Sequence, residues 1–407
     1  MKKIYAAAGN SSIFMGPGRK EFNPKKEMPT FEHYLKEAID GTLAQIPNPD
    51  FDEGYISNFM AGPFIRQGNL AGFLPEYVPS LLHKPCYRLE GACGSGGLAL
   101  TSAIKSLLSG LADKIMVCGF EIQNTVKALY GADILSGAAY HSKERKNGHA
   151  YFFPGLFSDR AGAYYKEAGY DVARKGMARW YENSILNARE SSKAQEYHNC
   201  NSELFEAAMA KPNPARFVEH LNFFDCSKVS DGAASVVLCT EEGIKKLGLK
   251  MEDCIEICGF YSSEGNITKS PERLDKLKNT AICAHNALGM ASISSKDLGL
   301  LEVHDCFSIT GLLALEAIGA CEPHQAGEFV YNGETSKIGS LPTNLSGGLC
   351  GFGHPTGATG IRQLSDLQKQ FCGTAENQAK VKKEYGLMIS MGGNDISVSA
   401  LCVKPTI

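Results

Sequence analysis

Two glycine-rich turns, far apart in the chain and each running straight into a helix-like stretch, constrain this fold most. The first, Glu90-Gly91-Ala92-Cys93-Gly94-Ser95-Gly96-Gly97, leads into a helical pattern over Leu98 to Leu108. The second, Gly351-Phe352-Gly353-His354-Pro355-Thr356-Gly357-Ala358-Thr359-Gly360, leads into Ile361-Arg362-Gln363-Leu364, with Ile361, Leu364 and Leu367 at helical spacing. Each turn presents one reactive side chain at the mouth of a small-residue helix. The matched pair suggests an internal duplication, with a pseudo-two-fold axis bringing both helix N-termini over one cleft. Identity between the halves is weak, so this inference rests on architecture. The 43 glycines among 407 residues exceed the ~7% of average usage, as close backbone approach would require.

Strand-like apolar runs alternate with helical patterns, which predicts α/β layers. Strands are expected at Lys3 to Ala8, Lys114 to Cys118, Ala234 to Leu238, Ile255 to Phe260, Gly299 to Val303, Gly386 to Ser390 and Ser397 to Val403. A further helix is expected over Ile309 to Ile318, and the second turn's helix over Gly360 to Phe371. The stretch from about Ile122 to Asn222 differs, being rich in aromatics and mixed charge. It reads as an inserted, mostly helical and loop-rich region. The boundaries expected are 1–121 for an N-terminal half, 122–222 for the insertion, 223–262 for the return of the first half and 263–407 for the C-terminal half.

The chemistry follows from what the turns present. A helix N-terminus beside Cys93 supplies partial positive charge and free N–H groups, a setting expected to lower the thiol pKa and favour a thiolate nucleophile. On that segment alone, a buried packing cysteine on a tight turn fits equally well. His354 sits in the second turn. A third segment, Val303-His304-Asp305-Cys306-Phe307, follows a strand-like approach, and the C-terminal ends of strands are where α/β folds gather reactive groups. Taken singly, His354 reads also as a hydrogen-bonded core histidine, His304 with Asp305 as a structural pair, and Cys306 as a small packing residue.

Composition excludes other classes. A net charge of −3 and a pI near 6.4 leave no electrostatic footprint for nucleic acid. No apolar run reaches the ~18 residues of a membrane helix. Fourteen cysteines lack C-x-x-C or finger-like spacing, so no metal is expected. Reduced thiols and a start that reads as a first strand rather than a secretory leader point to the cytoplasm. Neither glycine-rich turn carries a Walker lysine or a dinucleotide fingerprint, and Gly94-Ser95-Gly96 is not a nucleophile elbow.

The Cys93 turn, the His304-Asp305-Cys306-Phe307 segment and Gly353-His354-Pro355, with Ser230-Asp231-Gly232-Ala233-Ala234 as a weaker match, together resemble the thiolase superfamily, in particular the sterol carrier protein-type thiolases. The resemblance runs almost end to end, and no carrier domain is expected after the last strand. It implies a five-layered αβαβα fold of two similar halves with a loop domain inserted. It also implies acyl-CoA C-acyltransferase chemistry, a reversible Claisen condensation or thiolytic cleavage of 3-ketoacyl-CoA through an acyl-Cys93 intermediate. Coenzyme A thioesters are then the substrates, with no permanently bound cofactor.

By resemblance, His354 is the base for Cys93 and Cys306 the second acid/base. His304 and His354 form the enolate-binding oxyanion hole, and the N–H groups of Cys93 with Gly392 or Gly393 form the other. The commoner thiolases carry a reactive cysteine where Ser390 stands here, and an Asn-Glu-Ala-Phe segment in place of His-Asp-Cys-Phe. Cys306 is the natural substitute. Arg189, Lys193, Lys211 and Arg216 are the candidates for the phosphate end of coenzyme A. A homodimer, or a dimer of such dimers, follows by analogy, and some relatives act beside a small OB-fold protein. Competing readings are transfer of an acyl group to a non-CoA carbon nucleophile, such as an aromatic ring, and a degenerate scaffolding subunit. Ketoacyl-carrier-protein synthase and hydroxymethylglutaryl-CoA synthase are disfavoured by the His-Asp-Cys-Phe segment.

Overall fold

A computed structural model describes residues 2–406. Among these residues nine strands form one mixed sheet: β1 (Ile4–Ser11), β2 (Glu53–Ser57), β3 (Cys86–Leu89), β4 (Lys114–Glu121), β5 (Gly232–Thr240), β6 (Ile255–Glu264), β7 (Leu298–Glu302), β8 (Tyr385–Gly392) and β9 (Ser397–Pro405). Their spatial order is β3-β2-β4-β5-β1-β6-β9-β8-β7. The helices that matter below are α1 (Phe31–Leu43), α2 (Ser95–Ser109), α3 (Phe152–Ala168), α4 (Tyr170–Arg189), α5 (Lys278–Met290), α6 (Ser308–Ile318) and α7 (Thr356–Phe371).

The strand order contains the duplication. In the first half β1 pairs antiparallel with β5, β5 antiparallel with β4, and β4 parallel with β2, which is parallel to β3. In the second half β6 pairs antiparallel with β9, β9 antiparallel with β8, and β8 parallel with β7. A parallel bridge from Leu301 to Thr343 then stands where β3 stands in the first half. Cys93 follows β3, and His354 follows that bridge. The halves meet where β1 pairs with β6 through Ile4, Tyr5 and Ala6 alone. By this symmetry the second half opens with Ile255, ahead of the 262/263 boundary expected from the sequence.

Helices α2 and α7 touch strands of both halves and each other, whereas α1 packs on β1 and β5 and α5 on β6 and β9. The result is five layers, with α2 and α7 in the central one. Glycines allow the two central helices to cross closely. A Cβ on Gly96 would lie 2.9 Å from Gly360 N, and one on Gly360 would lie 2.6 Å from Gly97 N. These glycines lower helix propensity, so the sequence pattern places the starts of both helices late. Burial overrides propensity: α2 begins at Ser95 and α7 at Thr356.

Strands β2 and β3 were not anticipated. Glu53 and Gly54 interrupt the apolar signal of β2. β3 is an edge strand whose Tyr87 and Arg88 are exposed, so it lacks a buried pattern.

The chain between β4 and β5 carries α3 and α4. Their apolar residues, including Phe157, Tyr164, Met177 and Trp180, join the core of the second half, against Leu312, Leu315 and Leu349.

Candidate active site

Cys93 lies on a strained turn. Ala92 takes a left-handed conformation (φ 53°), uncommon for a residue with a Cβ. The turn is held by Gly94 N donating to Gly91 O at 2.9 Å, Ser95 N to Ala92 O at 3.1 Å and Gly91 N to Ser95 Oγ at 3.0 Å. Cys93 therefore stands two residues before α2, just ahead of its N-cap Gly94. Gly392 packs on the same turn, since a Cβ there would meet Gly91 O at 2.0 Å. The Cys93 and Gly393 backbone N–H groups donate toward the Cys93 sulfur.

The same arrangement recurs at His354. Gly353 has φ 124°, and its Cβ would lie 2.4 Å from Ser230 Oγ. That serine accepts from His354 N at 3.0 Å, while Gln123 Nε2 donates to His354 O at 2.7 Å. The ring's Nδ1 is 2.7 Å from Thr359 Oγ1, one turn into α7.

His304 enters from the end of β7. Asn344 clamps its approach by accepting from Val303 N at 2.8 Å and donating to Val303 O at 3.1 Å. Asp305 accepts from Trp180 Nε1 at 2.9 Å and from Leu349 N at 2.8 Å. Burial pushes the Asp305 carboxyl up to about 6. Cys306 is fixed by Ser227 N donating to its carbonyl at 2.9 Å, and its sulfur is 3.6 Å from Thr310 Oγ1.

One donor atom each from Cys93, His304 and His354 lie within 4.8 Å of one another. The imidazole rings are edge to face, with centroids 5.0 Å apart. Both ring nitrogens of His304 and the Nε2 of His354 are buried without a hydrogen-bond partner. A buried unpaired polar group costs about 1–3 kcal/mol, so three in one spot mark a place arranged for a ligand oxygen or a proton in transit. The trio is also a geometry that a thiophilic metal ion could use. Cys306 is close enough to Cys93 for charge on one sulfur to raise the pKa of the other.

The electrostatics correct one expectation. Burial, reinforced by the negative charge of Glu121, pushes the Cys93 thiol up to about 12, and the N–H groups on its sulfur do not offset this. Burial likewise raises Cys306. It lowers His354 to about 3, with the Arg362 cation adding to the effect, and drives His304 far down. The resting site therefore holds two thiols and two neutral imidazoles, not the thiolate that a helix N-terminus alone would suggest. A neutral imidazole is the form that can accept a thiol proton.

Several positioning residues lacked any sequence signal. Glu121, at the end of β4, accepts from Phe59 N and Met60 N of the first half, and from Thr356 Oγ1 and Gly357 N at the start of α7. Arg160 of α3, fully buried, donates to Asn394 Oδ1 at 2.5 Å and to the carbonyls of Leu274 and Lys276, which fixes the Gly392–Asp395 turn. Arg174 pairs with Asp225 at 2.6 Å, and Asp225 accepts from Ser308 Oγ at 2.6 Å just beyond Cys306. Ser390 is buried, with no partner for its Oγ, against the crossing of the central helices at Gly97 and Gly360.

The four basic candidates separate. Arg189 Nη2 donates to Asn201 O at 2.5 Å. Lys193 Nζ is spent on Asn10 Oδ1 at 2.7 Å and Ser11 O at 2.6 Å. Lys211 and Arg216 stand exposed on one loop of the insertion.

Two pseudo-symmetric halves, each bringing one side chain from a buried helix N-terminus into a single Cys–His cluster, give an α/β fold with a thiol-centred candidate active site. Residues 259–403 match the family model "Thiolase C-terminal domain-like". The acetyl-CoA acetyltransferase of Methanocaldococcus jannaschii is 33% identical over 356 residues, 86% of this chain and 87% of that one. Sterol carrier protein 2 of Oryctolagus cuniculus is 27% identical, across 97% of this chain and 71% of its own length. The solved Ltp2-ChsH2(DUF35) aldolase superposes with a TM-score of 0.79 over 99% of this chain and 98% of that one, at 17% identity, a likeness of fold. The chain belongs to the thiolase family, as the motif resemblance indicated, and is an acyltransferase of the thiolase type. No helix among the described residues is long and apolar enough to cross a membrane.

Proposed function

We propose that this chain catalyses the reversible thiolytic cleavage of a 3-ketoacyl-CoA, or its synthesis from two acyl-CoA molecules, through an acyl-Cys93 intermediate. The observation that carries this reading is the set of unpartnered imidazole nitrogens of His304 and His354 beside the Cys93 sulfur.

In the cleavage direction His354 Nε2 takes the Cys93 proton as the sulfur attacks the ketone carbon. The N–H groups of Cys93 and of Gly392 or Gly393 hold the resulting oxyanion. Removing one such donor typically costs ~3 kcal/mol in the barrier. The bond between the α-carbon and the ketone carbon then breaks. The thioester oxygen of the departing enolate rests on His304 and on His354, whose newly gained proton turns Nε2 from acceptor into donor. Cys306, protonated at rest, gives its proton to the α-carbon. Coenzyme A thiol then attacks acyl-Cys93, passing its proton to the Cys306 thiolate and returning the Cys93 sulfur, which recovers its proton from His354. Condensation is the reverse.

The test is acetoacetyl-CoA with free CoA, following acetyl-CoA with wild type, Cys93→Ala and Cys306→Ala. Activity is expected to vanish in the first variant and to fall severely in the second. A fully active Cys306→Ala enzyme overturns the acid/base assignment. Acylation of Cys93 without thiolysis would instead indicate a different carbon acceptor.

Lys211 and Arg216 are our choice for the phosphate end of coenzyme A, because both are exposed and neither side chain is hydrogen-bonded or ion-paired among the described residues. Charge reversal there should raise KM for CoA more than it lowers kcat. The unpaired outer edge of β3 supports a homodimer joined through that strand, measurable by light scattering. The DUF35 partner named with the structural neighbour supports a small OB-fold companion, to be sought as an increase in CoA affinity on reconstitution. All fourteen cysteines are free, which suits a cytoplasmic location.

A further inference from the structure

A second pair of thiols lies outside the catalytic cluster. Cys258 of β6 and Cys402 of β9 have their sulfurs 3.5 Å apart. Their register explains the approach. Ile257 pairs with Val403 and Gly259 with Cys402, so Cys258 is the extra residue of a β-bulge. A bulge lets two consecutive side chains share one face. Ile257 joins the central core beside α2 and α7. Cys258 instead packs on the core beneath α5, to which Cys402 belongs. Gly259 points the same way, where a Cβ would meet Ala287 O of α5 at 2.0 Å. The absence of a side chain at position 259 lets the bulge sit under α5 and turns Cys258 onto Cys402.

The two thiols are unequal. Cys258 keeps partial exposure and Cys402 is fully buried. Sharing a hydrogen with Cys402 holds the Cys258 thiol below its ordinary value, and the Lys404 cation helps. A partly exposed thiol 3.5 Å from a fully buried one has the geometry of an attacking and a resolving cysteine. Neither residue enters the acyl-transfer steps.

We propose that Cys258 and Cys402 form an oxidisable dithiol, a modification site that reacts with hydrogen peroxide independently of Cys93. The Cys258 thiolate attacks one peroxide oxygen. The O–O bond breaks, the leaving hydroxide takes a proton to become water, and Cys258 becomes a sulfenic acid. The Cys402 sulfur then attacks the Cys258 sulfur, forming the S–S bond and expelling the sulfenic hydroxyl, which leaves as water with the Cys402 proton. Two thiols are oxidised and one peroxide is reduced to two waters. The product staples the opening strand of the second half to its closing strand.

The test exposes the reduced full-length protein to hydrogen peroxide, traps free thiols with iodoacetamide and maps the peptides by mass. A cross-link between the Cys258 and Cys402 peptides is expected, lighter by two hydrogens and reversed by dithiothreitol. It should form in Cys93→Ala, be abolished in Cys258→Ser, and appear on the order of tenfold more slowly in Lys404→Gln. Phenylarsine oxide, which binds paired thiols, should protect both cysteines of the wild type from alkylation, a readout that needs no variant to fold. The proposal is overturned if both thiols remain alkylatable while Cys93 is oxidised, or if Cys258 accumulates as sulfinate with no cross-link.

Discussion

His354 Nδ1 lies 2.7 Å from Thr359 Oγ1, and that hydroxyl donates its one hydrogen to Pro355 O at 3.1 Å. The oxygen of Thr359 can therefore only accept from the ring. The proton sits on Nδ1, and Nε2 presents a bare lone pair, the tautomer a base needs. Thr359→Val keeps the volume and removes the acceptor. It should lower kcat by roughly tenfold or more with KM little changed, and the buried ring N–H left without an acceptor should cost about 1–3 kcal/mol of stability, as steady-state kinetics and calorimetry would read. An unchanged kcat would show that the tautomer is set elsewhere.

The pH behaviour follows from the directions of the shifts. His304 and His354 are neutral in the fold down to low pH, with His354 near 3, but would protonate near 6.5 when unfolded. Their contribution to stability is full above 6.5 and is lost as pH falls below it, for His354 down to about 3. Within that window His354 should add on the order of 1 kcal/mol per pH unit, and His304 adds in the same direction. Cys93 shifts the other way: its raised pKa contributes stability below about 9 that is lost toward 12. Denaturant titrations from pH 7 to 4 should give a shallower acid limb for His354→Asn than for wild type. Iodoacetamide should alkylate resting Cys93 at a rate still climbing at pH 10, without the early plateau of a preformed thiolate.

Trp180, the only tryptophan, ties the insertion to the catalytic segment through Asp305. Trp180→Phe leaves Asp305 Oδ2 without its indole donor in a buried place. Stability should fall by about 1–3 kcal/mol, with kcat reduced because His304 and Cys306 flank Asp305. Urea unfolding and kinetics of the same preparation would check both.

Gly360→Ala introduces a methyl into the helix crossing, where the nearest backbone atom is 2.6 Å away. Overpacking of this kind costs typically ~1–3 kcal/mol. Because α2 and α7 carry Cys93 and His354 at their starts, activity should fall along with melting temperature. A variant with wild-type activity and lowered stability would separate the crossing from the site.

The four residues that the fold gathers into one cluster stood out in the sequence because special turns leave marks: Cys93, His304, Cys306 and His354 all stand beside glycines or at the end of an apolar run. The seven strands with continuous apolar runs were equally visible. What stayed hidden acts through space. Glu121, Thr359, Arg160 and Trp180 occupy ordinary positions in their own elements; Arg160 and Trp180 find their partners more than a hundred residues away, Glu121 joins Phe59 and Met60 to Thr356 and Gly357 across the two halves, and Thr359 meets its partner one helical turn back. The thiol pKa was misjudged for the same reason. A helix N-terminus can be read locally, but desolvation and the charge of Glu121 depend on the assembled core.

The segment between β4 and β5 imposes an order on synthesis. β5 completes the first half of the sheet only after the whole insertion has emerged from the ribosome, and the hydrophobic sides of α3 and α4 then await a surface made by the last third of the polypeptide. Neither half can be finished alone, so this protein should resist division into separately expressed fragments.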